Sequence, residues 1–87
     1  MIPLRDFQTI GHDLFVAGLN NSHSGNLSVR LNRMMAITRS GSMLHRLDYA
    51  DLVETAINEE DSQSAKASRE RPVHCAIYQR TSAQAIR

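Results

Sequence analysis

Tryptophan is missing from this chain, and tyrosine and phenylalanine occur only twice each, so aromatic rings make up 5% of its 87 residues. A core built without large rings must be aliphatic and thin, because rings supply much of the buried area of a small domain. There is one cysteine, Cys75, which excludes an internal disulfide and fits a reducing cytoplasm, the expected location. No run of about twenty apolar residues occurs, and the opening MIPLRDFQTIG has no signal-peptide core. Nor is charge in excess. Ten Lys and Arg against nine Asp and Glu leave +1, which gives no reason to expect nucleic acid or an anionic membrane as a partner. What is there is globular in composition, 41% hydrophobic. Its length allows one domain at most, of marginal stability without partners.

Leu4, Phe7, Ile10, Leu14, Phe15 and Gly18 recur at helical spacing, with Arg5, Asp6, Gln8, His12 and Asp13 mainly on the other side. Pro3 suits an early helical position, and Gly18 with Asn20-Asn21 is a stop signal. Leu27–Leu31 alternates apolar and polar residues as a half-buried strand does, and Met34–Ile37 reads as a more buried one. Asn32-Arg33 between them leaves room only for a tight hairpin turn. Leu44–Asp51 is expected to be irregular or a single helical turn, Leu52–Ile57 a third strand, and Asn58–Ala67 a polar surface loop. Ser68 is a good N-cap for a helix from about Arg69 to Arg80, with Glu70 and Pro72 in its first turn. Val73, Ile77 and Tyr78 would line its buried face, beside Cys75 and Ala76. Ala83–Arg87 begins a strand-like alternation and then stops. A sheet with an open, growing edge invites aggregation, so this order of elements suggests the front of something larger.

The chemistry concentrates between Gly18 and Ser42. Two small polar turns, Ser24-Gly25-Asn26 and Thr38-Arg39-Ser40-Gly41, enter and leave the expected hairpin, so both sit at one end of it. Turns rich in backbone N–H groups and hydroxyls suit an anion such as phosphate. The same residues are also ordinary turn formers, and the spacing alone leaves both readings open.

The run DLFVAGLNNSHSGNLSVR, then ITRSGSML, DLVE, ASRERPVHCAIYQR and AQAIR resembles the class II aldolase/adducin family, from Phe7 to Arg87. The motifs G-N-[LV]-S-x-R, I-T-x-[ST]-G and S-x-E-x-x-x-H stand in that order. L-fuculose-phosphate aldolase is the nearest enzyme type. The resemblance implies an α/β domain with αβα layers and a mainly antiparallel sheet. It implies that residues 1–87 are the N-terminal portion of that domain, incomplete at its C-terminus. It further implies a zinc-type divalent metal, a homo-oligomer in the complete domain, and retro-aldol cleavage of a phosphorylated sugar. Gly25, Asn26, Ser40, Gly41 and Ser68 fall on phosphate-contacting positions and Glu70 on the acid/base carboxylate. A base of that kind must lie within hydrogen-bond reach of the proton it takes. On spacing alone, Ser68 is equally a helix cap and Glu70 an ordinary residue at a helix start.

Two departures bear on function. Arg69 stands where the family usually has a second serine, so the hydroxyl pair is broken, although a guanidinium can also reach a phosphate. The resemblance places a His-x-His pair just beyond Arg87 and a third metal-binding His much further on. A Lewis-acid metal needs about three protein ligands and an open position. His12, His23, His45 and His74 have no metal-ligand spacing, so no tightly held metal is expected on this chain, and no aldolase activity from it alone. The alternative is a non-enzymatic, adducin-like assembly module or remnant.

Overall fold

The computed structural model describes residues 3–18 and 25–87; Asn20, Asn21 and His23 lie outside the described residues. Helix α1 spans Leu4–Val16, with Pro3 as its N-cap residue. It ends where Gly18 takes φ +75, a conformation cheap only for glycine. Its inner stripe is Leu4, Phe7, Gly11 and Leu14, with Phe7 and Gly11 fully buried. Gly11 lets the helix backbone close on the 3-10 turn Leu44–Arg46: a Cβ there would lie 1.9 Å from the Leu44 carbonyl oxygen. This close approach rolls the helix away from the expected face. Ile10 and Phe15 stay 44% and 39% exposed, and Phe15 stacks on His45 with ring centroids 4.0 Å apart.

Four strands follow: β1 Ser28–Leu31, β2 Met34–Thr38, β3 Leu52–Ala56 and β4 Ala85–Ile86. They lie in the order β3-β2-β1-β4, every neighbour antiparallel. In the hairpin, Ser28 faces Ile37 and Leu31 faces Met34. Asn32 at φ 58 takes the positive-φ position that such a two-residue loop requires.

Helix α2, Arg71–Arg80, covers the other face. Met35, Ile37, Val53, Ile57, Ala67, Cys75 and Tyr78 form the core on the α2 side. Phe7, Leu27, Ala36, Leu44, Leu47 and Leu52 form the core on the α1 side. Because successive strand residues point to opposite faces, β2 must be apolar on both, and Met35, Ala36 and Ile37 are wholly buried. The result is the αβα layering with an antiparallel sheet that the family resemblance implies. Among the described residues no helix is long and apolar enough to cross a membrane.

Between the strands the chain is more ordered than its composition suggests. Residues 44–51 form two 3-10 turns, the second closed by a reciprocal Asp48–Asp51 capping box. The polar loop after β3 is tied back by Asp61, whose carboxylate accepts from the Ala56 and Gln63 amides and the Thr55 hydroxyl. Led by the Ala56 amide, these bonds lower its pKa to about 2.

Candidate functional site

The start of β1, the end of β2 and the approach to α2 meet at one end of the sheet. Leu27 and Thr38 are doubly bonded: the Thr38 amide donates to the Leu27 carbonyl at 2.9 Å, and the Leu27 amide donates to the Thr38 hydroxyl at 3.2 Å. On the other side of Thr38 its carbonyl accepts from the Ser68 amide at 2.9 Å, and the Ser40 amide donates to the Lys66 carbonyl at 3.3 Å. Arg39 and Ala67 form an antiparallel bridge between these bonds. The Gly25-Asn26, Ser40-Gly41 and Ser68 segments are thereby gathered around Thr38. The Ser42 amide closes the second turn onto the Arg39 carbonyl at 3.1 Å, with Gly41 at φ +80 and Gly25 at φ +89.

This pairing also corrects the expected start of the last helix. Ala67 and Ser68 are held in sheet-like bonds, so they cannot enter a helix, and α2 begins at Arg71 with Glu70 as its N-cap residue. Ser68 is two residues outside the cap: its hydroxyl accepts from the Glu70 amide at 3.2 Å. Pro72 sits in the first turn, where a missing N–H costs nothing.

The inner face of α2 differs from the expected one. Cys75 and Tyr78 are buried as expected, but Arg71 and His74 are buried with them, while Val73 is 51% exposed. Helical spacing then puts Glu70, Val73, His74 and Ile77 along one wall of a cleft of about 570 Å³. Gly25, Asn26, Leu14, Leu44, Ile86 and Arg87 complete its lining. Glu70 thus shares a cleft with Gly25 and Asn26. Ser40, Gly41 and Ser68 do not line it; Ser68 and Arg69 line a separate cleft of about 350 Å³ together with Ser64 and Arg71.

Under α2 lies a chain of buried polar groups. Ser28 Oγ is 2.6 Å from His74 Nδ1 and 2.7 Å from the Tyr78 hydroxyl. His74 Nε2 meets Asn26 Oδ1. All three of Ser28, His74 and Tyr78 are 2% exposed. Burial pushes the His74 pKa below its ordinary value, against the pull of the nearby Glu70 carboxylate. Burial likewise pushes the Tyr78 hydroxyl up, opposed by the Ser28 hydrogen bond and by Arg30. Arg30 lies over the Tyr78 ring at 4.9 Å and donates to the Tyr78 and Ala83 carbonyls, fastening the end of α2 to β1. Arg71 donates to the Ala56 and Glu59 carbonyls at 2.8 and 2.7 Å. None of these buried roles follows from hydropathy, but the S-x-R spacing of Ser28 and Arg30, two apart on one strand face, is a signal that could have pointed to them.

The described residues do not fit a metal ion. No group of three or more His, Cys, Asp or Glu is placed to hold one, and both ring nitrogens of His74 are taken by Ser28 and Asn26. His23 lies outside the described residues.

An antiparallel sheet between two helices, with polar turns and a carboxylate at one end, defines a class of small α/β domain. Comparison then fixes the family. Residues 5–87 match the class II aldolase and adducin N-terminal domain, and the chain belongs to that family. The fold superposes on the crystal structure of L-fuculose-1-phosphate aldolase from Thermus thermophilus, with a TM-score of 0.82 and 39% identity over 91% of this chain. YgbL of Escherichia coli, a candidate aldolase/epimerase/decarboxylase, gives 0.80 at 28% identity over 93%. Another L-fuculose 1-phosphate aldolase gives 0.79 at 28% identity over 93%. The chain spans 41%, 40% and 40% of those three structures, respectively. No curated protein matches the sequence.

Proposed function

We propose that residues 1–87 are the N-terminal portion of a metal-dependent class II aldolase-type protein acting on a phosphorylated sugar. In this reading they supply its anion-holding turns and its acid/base carboxylate. The observation that carries the reading is the shared cleft of Glu70 with Gly25 and Asn26, at the sheet end where the Ser40-Gly41 and Ser68 segments also converge.

Each group has a task set by its chemistry. Backbone N–H groups at Gly25 and Gly41, the Asn26 amide and the Ser40 and Ser68 hydroxyls are donors suited to a phosphate dianion. Glu70 carries a proton between its carboxylate and the sugar carbon or oxygen next to the bond that breaks. Leu14, Leu44, Val73 and Ile77 give the cleft apolar walls, which displace water and strengthen polar contacts inside it. A divalent metal would supply Lewis-acid polarisation of the carbonyl. We assign its ligands to residues outside this chain. A homo-oligomer and a cytoplasmic setting belong to the same proposal, which rests on family membership and the single buried Cys75.

The test is a binding comparison on the 87-residue chain. L-fuculose 1-phosphate should bind weakly and be displaced by inorganic phosphate, while unphosphorylated L-fuculose should not bind. Equal binding of both sugars, or none, would contradict the anion site. Since the matched family also includes adducin, a non-enzymatic assembly module is the other reading. It predicts a stable protein complex with no sugar-phosphate binding.

A further inference from the structure

The buried chain of polar groups beneath α2 leads to the cleft, and its hydrogen bonds have one consistent arrangement for a neutral ring. Asn26 Oδ1 can only accept, so His74 Nε2 must carry the ring proton. His74 Nδ1 is then an acceptor, and the Ser28 hydroxyl donates to it at 2.6 Å. Ser28 Oγ keeps a lone pair for the Tyr78 hydroxyl, which donates at 2.7 Å. Every polar atom of the three buried side chains is satisfied, as burial demands. An amide is planar, with its oxygen and nitrogen on opposite sides of one carbon. With the oxygen held by the ring, the NH₂ is the half of the Asn26 amide left for an anion in the cleft that Asn26 lines.

We propose that His74 is a positioning residue, held by Ser28 and Tyr78, that fixes the Asn26 amide with its donors turned toward the anion. This role rests on the anion reading of Asn26 proposed above. In this role His74 acts through Asn26 and not on the anion itself. Its work is to remove the amide flip that would otherwise present Oδ1 to a negative charge. The direction of the His74 pKa, depressed by burial, agrees with a neutral ring. Tyr78 supports this from behind: by donating to a Ser28 lone pair it leaves the Ser28 proton for His74.

The experiment is NMR on the 87-residue chain with inorganic phosphate as probe. Long-range nitrogen–proton spectra at neutral pH should show the His74 ring with its single proton on Nε2, before and after phosphate is added. The Asn26 side-chain NH₂ signals should shift on titration. His74→Phe should weaken phosphate about tenfold, the worth of one well-placed hydrogen bond, and abolish the NH₂ shift. His74→Gln, which keeps a donor near the Nε2 position, should recover most of the affinity. A proton on Nδ1, or a mixture of tautomers, overturns the proposal without recourse to any variant. Equal phosphate affinity in wild type and a folded His74→Phe overturns the positioning role alone. No saturable binding by folded wild type overturns the anion reading and this role with it.

Discussion

Gly11→Ala tests whether α1 is seated as described, and its cost can be worked from the geometry. The new Cβ would lie 1.9 Å from the Leu44 carbonyl oxygen and 2.8 Å from its carbon. Both are backbone atoms, so no side-chain rotation relieves the clash. Either α1 lifts away or the 3-10 turn Leu44–Arg46 gives way. Overpacking of this kind costs roughly 1–3 kcal/mol, and a clash with backbone belongs at the upper end. Alanine's better helix propensity returns up to about 1 kcal/mol. The net loss should be about 2 kcal/mol, a fall in Tm of about 10 °C for a domain of this size. Thermal and urea unfolding followed by circular dichroism would measure it. Leu14 and Leu44 also line the cleft with Asn26 and Glu70, so phosphate affinity should fall in the same variant. A Gly11→Ala protein as stable as wild type would refute the packing of α1 on Leu44.

Three further outcomes follow from the same contacts. Asp61→Asn should cost about 1 kcal/mol, well below what the carboxyl's depressed pKa would give in the interior, because the side chain is exposed and solvent-screened. With a folded value near 2 against 3.8, this stabilisation is present above pH 3.8 and lost as pH falls toward 2; acid titration of stability that is unchanged in the variant would contradict it. His74 sits below its ordinary value of 6.5, so the unfolded chain takes up a proton that the native chain refuses. Stability should therefore drop as pH falls below about 6.5, more steeply in wild type than in His74→Gln, and parallel pH profiles would contradict this. Finally, the chain with added zinc or cobalt should release no dihydroxyacetone phosphate from L-fuculose 1-phosphate; metal-dependent turnover abolished by Glu70→Gln would overturn that expectation.

Strands were legible because their signal is local. Leu27–Leu31 and Met34–Ile37 announced themselves by alternation and by a two-residue turn, and the observed β1 and β2 differ from them by one residue each. Helix faces were less legible, because a face is chosen by what it packs against. Gly11 contributes no hydropathy, yet the close approach to Leu44 makes it the centre of α1's inner stripe and leaves Ile10 and Phe15 outside. On α2 Tyr78 goes inside as its spacing predicts, but the apolar Val73 and Ile77 border the cleft while Arg71 and His74 join Tyr78 in the interior. Burying those polar groups is tolerable only because carbonyls of residues 56 and 59 and the Ser28 hydroxyl, distant in sequence, meet them. Such partners exist only in the fold. The start of α2 was misplaced for a related reason. Ser68 has the chemistry of a cap, but a long-range bond to Thr38 holds it in extended chain.

For the candidate site, the two glycine turns and Glu70 were visible as motifs, and the fold brings their segments to one end of the sheet. The division of that end into two clefts was not visible. It arises because Ser68 turns toward Arg69 and Ser64 while Asn26 turns toward His74.

Phosphate titration, followed by the backbone amides of Gly25, Asn26, Gly41 and Ser68, bears most directly on the claim that this sheet end is an anion site. Saturable binding at about the millimolar level, worth roughly −4 kcal/mol, with the largest shifts at Gly25 and Asn26, which share the cleft with Glu70, is the result expected. Shifts scattered over the surface, or none that saturate in a folded sample, would contradict it.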